Sequence, residues 1–160
     1  MSVRADTVAG MSEPILALTD QPGAADVAVI QQGLDEFNEK AAGLVDRREL
    51  AVFVKDPASG RVIGGLTGRT SYRVLFVDYF YLPPELRGSG LGRELLRQAE
   101  QEAVRRGCHS GVLTTINFQA PEFYRRNGWR AFGEVPSDAD GKIRRIYFTK
   151  DLTGTQRVSR

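Results

Sequence analysis

Apolar and polar positions change period several times along this chain, and each change marks an element. Val27, Ile30, Leu34 and Phe37 recur at steps of three, four and three, which places them on one face of an amphipathic helix, with Asp35, Glu36 and Glu39 on the other. Ahead of it, the short apolar run Ile15 to Thr19 predicts a first strand, and Asp20-Gln-Pro-Gly a turn. Glu49 to Lys55 and Arg61 to Arg69 form a predicted hairpin around Asp56-Pro-Ala-Ser-Gly60, with Gly64, Gly65 and Gly68 implying a bulge or a close neighbour. Val74 to Tyr81, the fourth strand, is nearly all apolar and is expected to be buried on both faces.

From Gly90 to Arg106 the pattern turns helical again. Leu91, Leu95, Ala99 and Ala103 stand four apart, Leu96 and Val104 widen the stripe, Glu102 and Arg106 form an i,i+4 pair, and Gly107 offers a cap. Gly111 to Ile116 predicts a strand and Ala120 to Arg126 a short helix closed by Asn127-Gly128. Trp129 to Val135 and Ile143 to Lys150 make two final strands around Pro136 to Gly141. The helix between the fourth and fifth strands requires them to run parallel through a crossover, while the flanking hairpins are antiparallel. The expected architecture is α/β (α+β): a mixed, mostly antiparallel sheet of about seven strands with helices on both faces. Residues 14–152 form one domain, residues 1–13 a disordered extension in which Met11 offers an alternative start, and residues 153–160 a polar tail.

Charge and cysteine content narrow the function classes. Net charge is +2 with acidic and basic residues interleaved, which argues against a nucleic-acid surface. One cysteine (Cys108) and one histidine (His109) exclude an internal disulfide and a closed zinc site, so no metal is expected. Cys108 reads as a core residue and His109 as a turn residue. With no apolar run of membrane-spanning length and no signal pattern, a cytoplasmic protein without membrane partners is expected.

The segment Tyr81-Leu-Pro-Pro-Glu-Leu-Arg-Gly-Ser-Gly-Leu-Gly-Arg-Glu-Leu-Leu carries the chemistry. A strand passes through a glycine turn into a helix, so unpaired amides converge at the positive end of a helix dipole, a natural phosphate site. A Walker loop fails, because Gly92 is followed by Arg93-Glu94; a dinucleotide fingerprint is weak, because Arg93 stands at its third glycine. An ordinary glycine turn remains the plain alternative. Arg87, Gly90 and Gly92 fit Arg-x-x-Gly-x-Gly, which resembles the pyrophosphate signature of the GNAT superfamily of N-acetyltransferases. The segment Asn117-Phe-Gln-Ala120-Pro-Glu-Phe-Tyr124-Arg-Arg-Asn-Gly128-Trp129 looks like that family's second signature, with Trp129 in place of its last aromatic residue.

This resemblance, firm from Tyr81 to Trp129, implies a GNAT-like sheet splayed at its parallel pair and transfer of an acetyl group from acetyl-CoA, as cosubstrate, to an amine. It implies that the amides of Arg87, Gly88, Ser89, Gly90, Leu91 and Gly92 cradle the pyrophosphate. The Leu82 backbone and Asn117 would then meet the pantetheine arm, and Tyr124 would stand beside the thioester sulfur.

The reaction calls for similar parts on its own account. Acyl transfer needs a donor for the oxyanion, which a strand-end amide around Phe80 to Leu82 can supply, and a proton donor for the leaving thiolate, which the Tyr124 phenol can supply. Tyr124 is otherwise a core-edge residue capping its helix. A protonated amine must lose a proton first. Asp78 is the one carboxylate of its strand, and burial would raise its pKa and suit a general base; otherwise it is an edge carboxylate or one that orders water. Asp35, Asn38, Glu39, Tyr72, Tyr79 and Tyr81 could wall an acidic, aromatic acceptor pocket, or be a solvated helix face and ordinary sheet packing. The acceptor is a small-molecule or peptide amine. An acyl-CoA sensor without catalysis and a nucleotide-binding protein are the competing classes. The exposed edge of the C-terminal hairpin allows a homodimer.

Overall fold

A computed structural model describes residues 14–43 and 46–154. They divide into two compact units at Gly43, where the sequence pattern predicts one domain. Residues 1–13 and 155–160, expected as an extension and most of a tail, lie outside the described residues.

The first unit contains helix α1 (Ala24–Ala42), which ends on Gly43 at φ 65°, its N–H donating to Glu39 O at 2.8 Å. Ile15 to Thr19, expected as a strand, is irregular chain. Its apolar residues do not alternate, and no described segment pairs with it, so the sheet has six strands rather than about seven.

The second unit runs β1 (Arg48–Lys55), β2 (Val62–Ser71), β3 (Val74–Tyr81), a 3-10 turn (Pro84–Leu86), α2 (Leu91–Arg105), β4 (Ser110–Ile116), α3 (Pro121–Arg126), β5 (Arg130–Pro136) and β6 (Arg144–Asp151). In the sheet the order is β1-β2-β3-β4-β6-β5. Every pair is antiparallel except β3–β4, as the crossover through α2 requires. The glycines of β2 serve close approach and irregular register. A Cβ on Gly65 would strike Val52 O, one on Gly68 would strike Phe76 O, and the β2–β3 register shifts between Thr67 and Gly68.

Both α2 and α3 end in the same way. Cys108 N–H donates to Ala103 O and Gly107 N–H to Val104 O, each at 2.9 Å; Trp129 N–H donates to Tyr124 O and Gly128 N–H to Arg125 O, each at 3.0 Å. These are paired six-to-one and five-to-two bonds, and they need the left-handed residue that Gly107 (φ 86°) and Gly128 (φ 83°) supply. Leu96, Ala99 and Ala103 of α2 and Tyr124 of α3 pack into one cluster with Leu66, Leu75, Val77, Leu113, Ile146 and Phe148 of the sheet.

One buried charge network locks this layer. Glu100 of α2 accepts from Trp129 Nε1 (2.9 Å) and from Lys150 Nζ (2.7 Å), and Lys150 Nζ also donates to Asn127 O (2.8 Å). Helix α2, the end of α3, the start of β5 and the end of β6 are thereby tied to one carboxylate. Trp129 fits only because Gly111 has no side chain: a Cβ there would lie 2.5 Å from Trp129 Cη2. At the other end of α2, Arg106 pairs with Glu102 (2.6 Å) and donates to Glu49 O (3.1 Å) and Thr70 Oγ1 (3.2 Å).

Removing Glu100 takes the carboxylate from a half-buried ammonium and leaves the buried Trp129 N–H unpaired. Glu100→Ala should therefore lower unfolding free energy by about 3 kcal/mol, read as a fall in the urea midpoint.

Candidate active site

The site begins where β3 and β4 stop pairing. Their parallel ladder runs from Val74 opposite Ser110 to Val77 opposite Leu113 and ends there, although β3 continues to Tyr81 and β4 to Ile116. A bulge drives them apart. Gly68 pairs with Val77 and Thr67 with Tyr79, so Asp78 is the extra residue on β3. Beyond it, the backbone groups of β3 that face β4 have no ladder partner, and a fork opens toward the strand ends.

This fork corrects the expectation that β3 is buried on both faces. Leu75 and Val77 are buried, but Asp78, Tyr79 and Tyr81 are exposed. It also removes the burial argument for Asp78 as a base. The carboxylate is accessible and ion-paired with Arg69, whose guanidinium also lies over the Phe76 ring at 4.7 Å.

At the mouth of the fork the chain turns into α2. Among the described residues, the consecutive amides of Gly88 through Arg93 donate to no acceptor; the first bond of the helix is Glu94 N–H to Gly90 O at 3.1 Å. Gly88 (φ 76°) and Gly90 (φ 86°) hold left-handed conformations, and a Cβ on either would meet nothing within 4 Å. The run is thus concave, open and aligned with the positive end of the helix dipole. Arg87 and Ser89 brace the loop from within: Arg87 Nε donates to Leu82 O and Ser89 Oγ to Leu86 O, each at 2.9 Å. Gly92 packs the first turn beside Leu82 and Phe123, where a Cβ would lie 3.4 Å from Leu82 Cδ1 and Phe123 Cε2.

Helix α3 supplies the other wall. Phe80 of β3 meets Phe123 edge-on (centroids 5.6 Å), Phe123 meets Tyr124 (5.2 Å), and Tyr124 meets Phe148 of β6 (5.8 Å). This aromatic chain crosses the fork on the helix-covered face. Tyr124 is buried as a ring, yet its hydroxyl has no hydrogen-bond partner among the described residues and is not sealed from solvent. Desolvation pushes its pKa up to about 12, so the phenol keeps its proton at neutral pH.

Asn117 sits just past β4 and is partly spent on structure. Its Nδ2 donates to Lys142 O and its Oδ1 accepts from Arg144 N–H, each at 2.9 Å, which leaves one donor and one lone pair.

The expected acceptor residues separate into three groups. Tyr79 and Tyr81 flank the fork. Tyr72 does not: it occupies the β2–β3 turn with Arg73, both at positive φ. That turn precedes β3 and Tyr81 ends it, so at ~3.3 Å per residue the two tyrosines stand on the order of 30 Å apart. Asp35, Asn38 and Glu39 lie on α1, in the first unit, at a spacing that shares one helical face.

Sequence reasoning missed Glu100, Phe80 and Phe123. The signal for Glu100 was a carboxylate four residues after Leu96, inside the apolar stripe of α2. It also missed the pairing of Arg145 with Thr114 (3.2 Å), which depends on the β4–β6 register and has no local signature.

Residues 20–129 match the model of the acetyltransferase (GNAT) family. An acetyltransferase of Agrobacterium fabrum is 31% identical over 125 residues, covering 78% of this chain and 90% of that protein. Blasticidin-S acetyltransferase of Streptomyces morookaense is 37% identical over 83 residues, 51% of this chain and 61% of that protein. A crystal structure of an acetyltransferase from Agrobacterium tumefaciens superposes with a TM-score of 0.78 at 29% identity, covering 86% of this chain and 99% of that one.

The Tyr124 shift has a direct consequence. In a spectrophotometric titration, a tyrosine step near pH 12 should be present in the parent protein and missing in Tyr124→Phe. The neutral phenol favours the folded state: its contribution is whole below the ordinary value of 10.0 and is lost as pH rises from there through about 12.

Proposed function

This chain belongs to the GNAT family of acetyltransferases, and on that footing we propose that it moves an acetyl group from acetyl-CoA to a primary amine by direct transfer in a ternary complex. The observation that carries this is the run of unpartnered amides from Gly88 to Arg93 at the head of α2, next to a fork whose helix-covered face carries the Tyr124 ring with its hydroxyl unbonded. Donors fixed in that way, with glycine where a side chain would narrow the approach, suit a pyrophosphate. When bound, acetyl-CoA supplies the acyl carbonyl in activated thioester form.

The chain's own residues supply the rest. Amides Gly88 to Arg93 would hold the diphosphate, while Leu82 and the free half of the Asn117 amide would flank the arm leading into the fork. Along Asp78 to Leu82, β3 amides released from the ladder are donors for negative charge on a carbonyl oxygen, placed before reaction begins. Tyr124 keeps a proton on its hydroxyl oxygen, available to a departing thiolate. Asp78 faces the acceptor side as an accessible carboxylate, suited to ordering the water or the ammonium from which a proton must leave. Cys108 is buried and its thiol pushed up by desolvation, which suits direct transfer better than an acetylated enzyme.

The amine acceptor is drawn from the same chemistry as the antibiotic substrate in the Streptomyces relative's name, a small molecule with an accessible amino group, or from peptide amines. Tyr79 and Tyr81 at the fork are the candidate acceptor contacts. A sensor that binds acyl-CoA without consuming it would share the amides but have no use for a protonated, unpartnered Tyr124.

Acetyl-CoA at a hundredfold excess over its Kd should raise the melting temperature, a gain of about 2.7 kcal/mol, whereas ATP and NAD should not. Thiol release across an amine panel should then separate transferase from sensor. In Tyr124→Phe, turnover should fall about tenfold or more with the KM for acetyl-CoA little changed; unchanged turnover would remove Tyr124 from the mechanism.

A further inference from the structure

The charges at the fork narrow the acceptor beyond "an amine". Val77 and Leu113, the last ladder pair, are buried against the helices. Asp78, although bulged, pairs with Arg69, which lies over Phe76 on the face opposite Val77, and Thr114, between the buried Leu113 and Thr115, turns to that same face; both are exposed. Each is met by a guanidinium from the strand outside it. Arg69 of β2 pairs with Asp78, and Arg145 of β6 donates from Nη1 to Thr114 Oγ1 at 3.2 Å. Ile146 and Phe148 of β6 are buried in the core cluster, so Arg145 shares the face of Thr114.

The two guanidiniums are not equivalent. Arg69 is held by a carboxylate below and an aromatic ring beside it. Arg145 holds only a neutral hydroxyl and forms no ion pair among the described residues, whereas its neighbour Arg144 is taken up by Glu134 at 3.2 Å. A guanidinium presents five N–H donors in a planar fork, and one bond to a threonine leaves most of them open. Arg69 and Asp78 offset each other, and Glu49 stands opposite Arg69 on β1, which leaves Arg145 as the guanidinium of this face without a carboxylate among the described residues. Such a surface disfavours a polycation and suits a ligand that brings its own anion.

We propose that the acceptor is an amine that also carries a carboxylate, and that Arg145, positioned by Thr114, binds that carboxylate while Asp78 faces the amino group. This rests on the amine-transfer activity proposed above and specifies its substrate class. Arg69 neutralises the far side of Asp78 and fixes its orientation. The bond between Arg145 and Thr114 places the anion subsite on the β4 arm and the amine subsite on the β3 arm, so a zwitterion lies across the fork.

The test compares thiol release from acetyl-CoA with amino acids of increasing chain length against their carboxamides, which match in size and differ in the one charge. Ionisation of the amine works against the expected result: a neighbouring carboxylate keeps more of the amine protonated, so an unbiased site would favour the amides. The acids should instead show kcat/KM about tenfold or more above the amides. Arg145→Gln should erase that preference by raising KM for the acids rather than lowering kcat, and Arg145→Lys, which keeps the charge without the planar fork, should retain part of it. Amides used as well as or better than acids by the parent protein would overturn the proposal. So would Arg145→Gln depressing both classes equally, since that is the signature of a structural role through Thr114. Thiol release with uncharged amines only would overturn the substrate class and leave the transferase assignment standing. Release with no amine of either class would overturn both.

Discussion

The structure depends on a parallel strand pair that is made to stop. Parallel pairing of β3 with β4 is forced by the α2 crossover, and left alone it would continue to the strand ends. One extra residue on β3, Asp78, prevents this, and the bulge is permitted by Gly68, whose missing side chain lets Phe76 O come close. From that single irregularity follow the exposed strand end, a β3 backbone left unpaired on its β4 side and an opening with walls of opposite character. One face is closed by the aromatic chain Phe80–Phe123–Tyr124–Phe148, and the other presents Asp78, Thr114 and the two arginines.

A fork of this kind is useful only if its arms are rigid, and the charge network at Glu100 serves that end. Helix α2 delivers the free amides and α3 delivers Tyr124, yet the two helices arise from different crossovers of the chain. Their common anchor is Glu100, bonded to Trp129, which directly follows α3, and to Lys150, which holds the carbonyl of Asn127. Burial strengthens those bonds and makes any loss of a partner costly, so the relative position of the two helices is well defined. The two glycine-terminated helix ends contribute in the same direction, since each turns the chain back into the sheet through a connection of no more than four residues.

Electrostatics then divides the labour. Near α2 the fork offers neutral N–H donors and a helix dipole, a setting for anionic phosphates that does not require a dense basic patch. Near the bulge it presents the Asp78–Arg69 ion pair on the β3 arm and the Arg145 guanidinium, bonded to Thr114, on the β4 arm. Tyr124 lies between these regions with its ring in the core and its hydroxyl free, and desolvation keeps that hydroxyl protonated. Among the described residues no helix is long and apolar enough to cross a membrane.

Sequence alone determined the elements and the glycine turn ahead of α2, because both are local. Period, glycine placement and capping act within a few residues, so β3, α2, α3 and the hairpins fall within one or two residues of their expected ends, and Arg87 to Gly92 stands where its motif puts it. Ile15 to Thr19 failed as a strand for the converse reason: a strand exists only through a partner, and five apolar residues do not provide one. What only the tertiary structure decided is everything set by register between distant segments. That Asp78 meets Arg69 in the open instead of lying buried, that Tyr72 is at the wrong end of β3, that Arg145 reaches Thr114 and that Glu100 gathers Trp129 and Lys150 all depend on which residues stand opposite one another across the sheet and the core. A shift of one position in a strand reverses the face of every side chain on it. The glycine turn was therefore legible from the chain, while the charged face of the fork became legible only once the strands were laid side by side.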